Sequence, residues 1–166
     1  MSVANAEDLE DFPPDSTEEG VRDFVNGLVA AKAAGVDFAL IAGDLGQRGD
    51  DYLKTDPTYD RCISAAGFDK KIYCVKGNHD VYIPLDAWKS VTSCDLSTYS
   101  FTKEDDLFIF MSMKTNTSSA KCSPEIDTAP YNDSDIDTLE QILRSNPGKR
   151  VFLTMHCPLN AGRPIS

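Results

Sequence analysis

Long apolar runs and a targeting segment are missing from this sequence. No stretch approaches the roughly 20 consecutive apolar residues that a membrane-spanning helix requires. Residues 1–15 carry neither a basic segment nor an apolar one, so they show no secretory signal. We therefore expect a chain that has no membrane partner and that works in the cytoplasm.

Basic residues are scarce, and no two cysteines are closely spaced along the chain. Sixteen Lys and Arg stand against 27 Asp and Glu, and the net charge of −11 argues against nucleic acid as a partner. The five cysteines are odd in number and widely spaced, and no two form a Cys-x-x-Cys pair. This distribution indicates reduced thiols rather than a disulfide framework or a structural zinc site.

The length of 166 residues suits one domain, which we place over residues 16–166, preceded by a tail or loop over residues 1–15. An amphipathic helix extends from near Ser16 to Gly35. Apolar runs at residues 36–42 and 72–75 then flank a second helix. A strand, a helix and a strand in this order are typical of a βαβ unit with parallel strands.

The sequence pattern in the second half of the chain predicts a different arrangement of strands. Residues 98–101 and 107–113 resemble two strands joined by a short polar turn, which predicts an antiparallel hairpin. A helix that begins at Asp133 or Ser134 follows, and residues 151–155 form a last apolar run. The chain therefore contains strands in both parallel and antiparallel contexts.

Three predicted strands are each followed by a residue that can bind a metal ion: Asp44, Asn78 and His156. Loops at the carboxyl ends of strands in α/β sheets open into a shared crevice, so these residues could meet. Carboxylate, amide oxygen and neutral imidazole all suit a borderline-hard divalent cation. Taken singly, a Gly-Asp pair after a strand is ordinarily a turn, and a lone histidine is more often structural. Their common position after apolar runs favours one metal site.

The same residues resemble motifs of the calcineurin-like metallophosphoesterase superfamily. Three of the five motif blocks of that family are present, as Gly43-Asp44, Gly77-Asn78-His79-Asp80 and a lone His156 after a strand. The resemblance implies an α/β fold, a four-layer α/β/β/α sandwich with two mixed sheets that is incomplete in this chain. It also implies metal-dependent hydrolysis of a phosphate mono- or diester as the activity, with a phosphoester substrate.

The resemblance implies a role for each matching residue. Asp44 would bridge two metal ions, and Asn78 and His156 would bind the second of them. His79 would act at the leaving-group oxygen as a general acid or charge stabiliser, and Asp80 would hold the His79 ring. The two ions would be Mn, Fe or Zn, and they would generate the hydroxide that attacks phosphorus.

Two motif blocks of the family are missing from the sequence. Neither the first block, Asp-x-His, nor the last, Gly-His-x-His, is present. We therefore expect a fragment of a complete enzyme, which could itself be inactive, and a non-catalytic homologue with a binding or scaffold role is the alternative. Cysteine chemistry is disfavoured, because the adjacent His156 and Cys157 would point to opposite faces of one strand.

Overall fold

The computed structural model of the protein describes residues 18–45, 58–80, 88–89, 92, 94, 98–114 and 131–158. The predicted tail at residues 1–15 lies outside the described residues. The helices are α1 (Glu18–Ala33), α2 (Thr58–Ala66) and α3 (Asp133–Ser145). The strands are β1 (Phe38–Ile41), β2 (Lys71–Cys74), β3 (Tyr99–Lys103), β4 (Asp106–Met111) and β5 (Arg150–Met155).

These strands form two sheets. β1 and β2 pair in parallel on either side of α2 in the chain, with Phe38 opposite Lys71, which gives the predicted βαβ unit. β3 and β4 form the predicted antiparallel hairpin, and β5 joins β4 in parallel, with Asp106 opposite Arg150. The second sheet is therefore mixed, while the two described strands of the first sheet are parallel.

The elements stack as four layers, because successive side chains of a strand point to opposite faces of its sheet. Along β4, Leu107, Ile109 and Met111 pack against α3, whereas Phe108 and Phe110 pack against the first sheet. The outer face of the first sheet shares one apolar cluster with α1 and α2. The order helix, sheet, sheet, helix confirms the predicted α/β fold class.

Contacts between the two sheets fix how their strand ends are placed relative to each other. In the interior, the Tyr73 and Phe110 rings stack with their centroids 5.3 Å apart. Where β2 and β4 end, the Lys76 N–H donates to Ser112 Oγ at 3.1 Å, and the Met113 N–H donates to the Lys76 carbonyl at 3.2 Å. The chain that leaves β2 is thus attached to the chain that leaves β4.

Apolar surface remains exposed along β5, which forms an edge of the second sheet as far as the described residues extend. The Val151, Phe152 and Leu153 side chains are 39–42% exposed. None of the helices in the described part of the chain is both long and apolar enough to cross a membrane.

Candidate metal centre

The carboxyl ends of β1, β2 and β5 bring Asp44, Asn78 and His156 to one place. His156 follows β5 directly, and its Nε2 lies 2.8 Å from Asn78 Oδ1 and 3.3 Å from Asp44 Oδ2. Both Asp44 and His156 are partly exposed, with 31% and 24% of their side-chain surface accessible. The three side chains predicted to bind metal are therefore neighbours at an accessible rim between the two sheets.

The orientation of the His156 ring follows from a single backbone contact. Its Nδ1 lies 2.9 Å from the Ala42 carbonyl oxygen, which can only accept a hydrogen bond. Nδ1 therefore carries the hydrogen, and Nε2 of the neutral ring presents a lone pair to the Asn78 and Asp44 oxygens. Three lone-pair atoms that converge in this way repel one another, so a proton or a metal cation among them relieves the repulsion. The donor set fits a cation that accepts oxygen and nitrogen ligands.

The loop that carries Asp44 has an unusual backbone conformation. Gly43 has φ of +98° and Asp44 has φ of +56°, so two consecutive residues have positive φ angles. Non-glycine residues seldom adopt such angles unless neighbouring contacts enforce them. This turn directs the Asp44 side chain towards the residues that follow β2, where its Oδ1 accepts the His79 N–H at 3.0 Å.

The Asp80 carboxylate supplies contacts that enforce the turn. Its Oδ2 accepts the Asp44 N–H at 2.6 Å and the Gly77 N–H at 2.9 Å, and its Oδ1 accepts the Leu45 N–H at 3.2 Å. One buried side chain therefore joins the loop after β1 to the loop after β2. No pattern in the sequence indicated these bonds, and the expected contact between Asp80 and the His79 ring stays a prediction.

The two loops approach each other so closely that glycine is required at both contact points. A Cβ added at Gly43 would lie 2.6 Å from the Gly77 nitrogen and 3.0 Å from His156 Nδ1. A Cβ added at Gly77 would lie 2.1 Å from Asp44 Oδ1. Side-chain atoms are not accommodated at such distances, so the motif glycines allow Asp44 to reach the neighbouring loop.

Burial changes the pKa values of two side chains near the candidate centre, Asp80 and Lys76. Burial raises the pKa of Asp80, and the hydrogen bonds from Gly77 and Asp44 oppose that shift. Burial also lowers the pKa of the adjacent Lys76 to about 8, against the attraction of the Asp80 charge. Both side chains are fully buried. Lys76 directly follows residues 72–75, and its place next to this largely apolar run was the sequence signal for a buried charge that was not predicted.

Two further observations limit what the centre can be. The described residues contain no cluster of three or more His, Cys, Asp and Glu side chains, so the candidate centre depends on the amide of Asn78.

Cys157 Sγ lies 3.6 Å from Met113 Sδ, and the Cys157 N–H donates to the Tyr131 hydroxyl. The neighbouring His156 ring instead contacts Ala42 and Asn78. These contacts give no support to a His156–Cys157 catalytic pair.

Comparison with known proteins agrees with the geometry. The model of the calcineurin-like phosphoesterase family matches residues 15–166. No curated protein matches the chain in sequence. Calcineurin-like phosphoesterases are hydrolases that act on phosphoesters and in general use divalent metal ions. Because the match extends over most of its 166 residues, the chain belongs to the calcineurin-like phosphoesterase family.

Proposed function

We propose that the protein hydrolyses phosphate mono- or diesters, with a divalent cation held by Asp44, Asn78 and His156. The convergence of Asp44 Oδ2, Asn78 Oδ1 and His156 Nε2 is the observation that carries this proposal. Two adjacent ligands of an ion with bonds of about 2.1 Å lie about 3 Å apart. The separations of 2.8 Å and 3.3 Å from His156 Nε2 support such a donor set.

A cation held by these residues would supply Lewis acidity, which would polarise phosphoryl oxygens and make a bound water more acidic. Mn, Fe and Zn all accept this mixture of oxygen and nitrogen ligands. Asp44 has two carboxylate oxygens, one near His156 and one that accepts the His79 N–H. This placement supports the expected role of Asp44 as the bridge in a two-ion centre.

The other residues of the site orient these ligands and handle protons. The Ala42 carbonyl fixes the tautomer and the direction of the His156 ring. Asp80 holds the backbone of both loops, so the Asp44 and Asn78 side chains need little reorganisation when a ligand binds. The His79 imidazole donates a proton to the leaving-group oxygen or stabilises the charge that develops there.

Substitution of Asp44 tests the proposal. Asp44→Asn removes the negative charge of the bridging ligand, and we expect metal-dependent turnover of p-nitrophenyl phosphate or its bis-ester to fall by roughly 100-fold or more. Asp37→Asn is the matched control, because Asp37 precedes β1 and is an exposed carboxylate paired with Lys103. Elemental analysis of both variants reports how much metal each retains.

The outcomes separate the alternatives. Loss of turnover and of bound metal in Asp44→Asn alone supports the proposal. Near-wild-type turnover in that variant contradicts it. One bound ion or none in the wild type, without hydrolysis of either ester, favours the alternative of a non-catalytic homologue with a binding or scaffold role.

A further inference from the structure

Two buried thiols lie in contact behind the candidate centre. Cys74 is the last residue of β2 and is fully buried, and Cys94 is 3% exposed. The Cys74 thiol donates to Cys94 Sγ, and the two sulfur atoms are 2.8 Å apart. Trp88 belongs to the same apolar cluster, and Ile41 and Leu45 pack against it. The pair therefore connects β2 with a segment that follows the motif residues in the chain.

The position of these sulfurs is compatible with a covalent bond. A disulfide bond is about 2.05 Å long, so the atoms need to approach by less than about 1 Å. Other contacts keep Cys94 in place: its N–H donates to Thr92 Oγ1 at 3.2 Å, and the Cys74 N–H donates to Cys94 Sγ at 3.2 Å. The pairing joins residues 20 positions apart, a separation that permits loop closure without rearranging β2.

The hydrogen bonds around the two sulfurs favour ionisation of Cys94 over that of Cys74. Its sulfur accepts hydrogen bonds from both the Cys74 thiol and the Cys74 N–H, and such bonds stabilise a thiolate. The hydrogen bond from Cys74 lowers the pKa of Cys94. The thiolate is the form that reacts with oxidants.

We propose that Cys74 and Cys94 are a modification site at which hydrogen peroxide forms an intramolecular disulfide. The Cys94 thiolate attacks one peroxide oxygen; an S–O bond forms, the O–O bond breaks, and hydroxide leaves. The Cys74 sulfur then attacks Cys94 Sγ; the S–S bond forms, the S–O bond breaks, and the departing hydroxide takes the Cys74 proton as water. The hydroxide released in the first step takes up the proton that Cys94 gave up on ionisation, so in total two thiols and one peroxide give one disulfide and two waters.

The proposal does not depend on hydrolytic activity. Both sulfurs are buried, so peroxide reaches them during local opening of the packing around Trp88. Once formed, the bond ties the segment that contains Cys94 to the strand that leads to Asn78. A crosslink restricts the unfolded chain, so the oxidised protein should melt several degrees higher than the reduced protein.

Peptide mapping of the full chain tests the proposal. After a limiting dose of peroxide under native conditions and alkylation of the remaining thiols, we expect a peptide that links Cys74 to Cys94 and weighs two hydrogens less than its parts. Dithiothreitol should reverse the linkage. Cys62→Ser is the matched control, because Cys62 is also buried but packs in the cluster of α1 and α2, and it should leave the crosslink intact. Cys94→Ser should abolish the crosslink.

Other results overturn the proposal. Two results under the same conditions would show that the pair does not form a disulfide. In one, Cys74 and Cys94 both remain fully alkylatable. In the other, Cys94 is oxidised to sulfinic acid without a crosslink. A disulfide from either residue to any other cysteine would do the same. If Cys94→Ser does not fold, the map of the wild-type protein alone decides between these outcomes.

Discussion

The contact between the two motif loops gives the sharpest quantitative prediction. In Gly77→Ala, the new Cβ would lie 2.1 Å from Asp44 Oδ1, 2.8 Å from Asp44 Cγ and 2.7 Å from the Asp44 nitrogen. Ordinary contacts of a Cβ begin near 3.4 Å, so the atoms must separate by more than 1 Å. Rotation of the carboxylate relieves only part of this overlap, because the Asp44 nitrogen belongs to the backbone.

Both ways of making room break or weaken a hydrogen bond. Rotation of the Asp44 side chain removes the bond from the His79 N–H, and movement of the Asp44 backbone weakens the 2.6 Å bond to Asp80. Overpacking costs about 1–3 kcal/mol and a hydrogen bond to a charged group about 1.5–3 kcal/mol. We therefore expect Gly77→Ala to lower the free energy of unfolding by about 2–6 kcal/mol and metal affinity by about 10–100-fold.

Urea denaturation and calorimetric titration with Mn²⁺ measure the two effects. Gly27→Ala is the matched control, because Gly27 lies inside α1 with no atom within 4 Å of the added Cβ. In a helix interior, alanine is more favourable than glycine by up to about 1 kcal/mol, so this control should be slightly more stable than the wild type. A Gly77→Ala protein with wild-type stability and wild-type Mn²⁺ affinity would refute the close approach of the loops.

Two further substitutions address the carboxylates on which the site and the second sheet depend. In Asp80→Asn, the new amide NH₂ must face a backbone N–H. We therefore expect the free energy of unfolding, measured by urea denaturation, to fall by about 1–3 kcal/mol and Mn²⁺ binding to weaken by about 10–100-fold. Unchanged Mn²⁺ affinity would exclude the proposed positioning role of Asp80. Asp106 binds Arg150 through two hydrogen bonds, and the bond from Arg150 lowers the pKa of Asp106. Since the folded pKa lies below the unfolded value of about 4, the pair stabilises the protein above that pH and loses its effect as pH falls through the folded pKa. The stability difference between wild type and Asp106→Asn should therefore shrink on acidification, and a difference that persists at about pH 2 would contradict this assignment.

The elements of the fold and the residues at the strand ends could be predicted from the sequence. Hydrophobic periodicity and turn residues are local signals, and they identified the βαβ unit, the hairpin and the helix that begins at Asp133. The glycine-containing motifs that follow the apolar runs named Asp44 and Asn78, and the end of the last run named His156. The rule that sites form at the carboxyl ends of strands was sufficient to expect these three residues together.

Only the tertiary structure decided how those residues are held. The Asp80 carboxylate binds backbone groups 35 and 36 positions away, and the Ala42 carbonyl orients a histidine 114 positions away. The contact between Cys74 and Cys94 likewise depends on where the chain after the motif returns to β2. Such contacts are set by the spacing and register of two packed sheets. No local pattern in the sequence encodes that geometry, because it is fixed only when distant apolar faces are buried together.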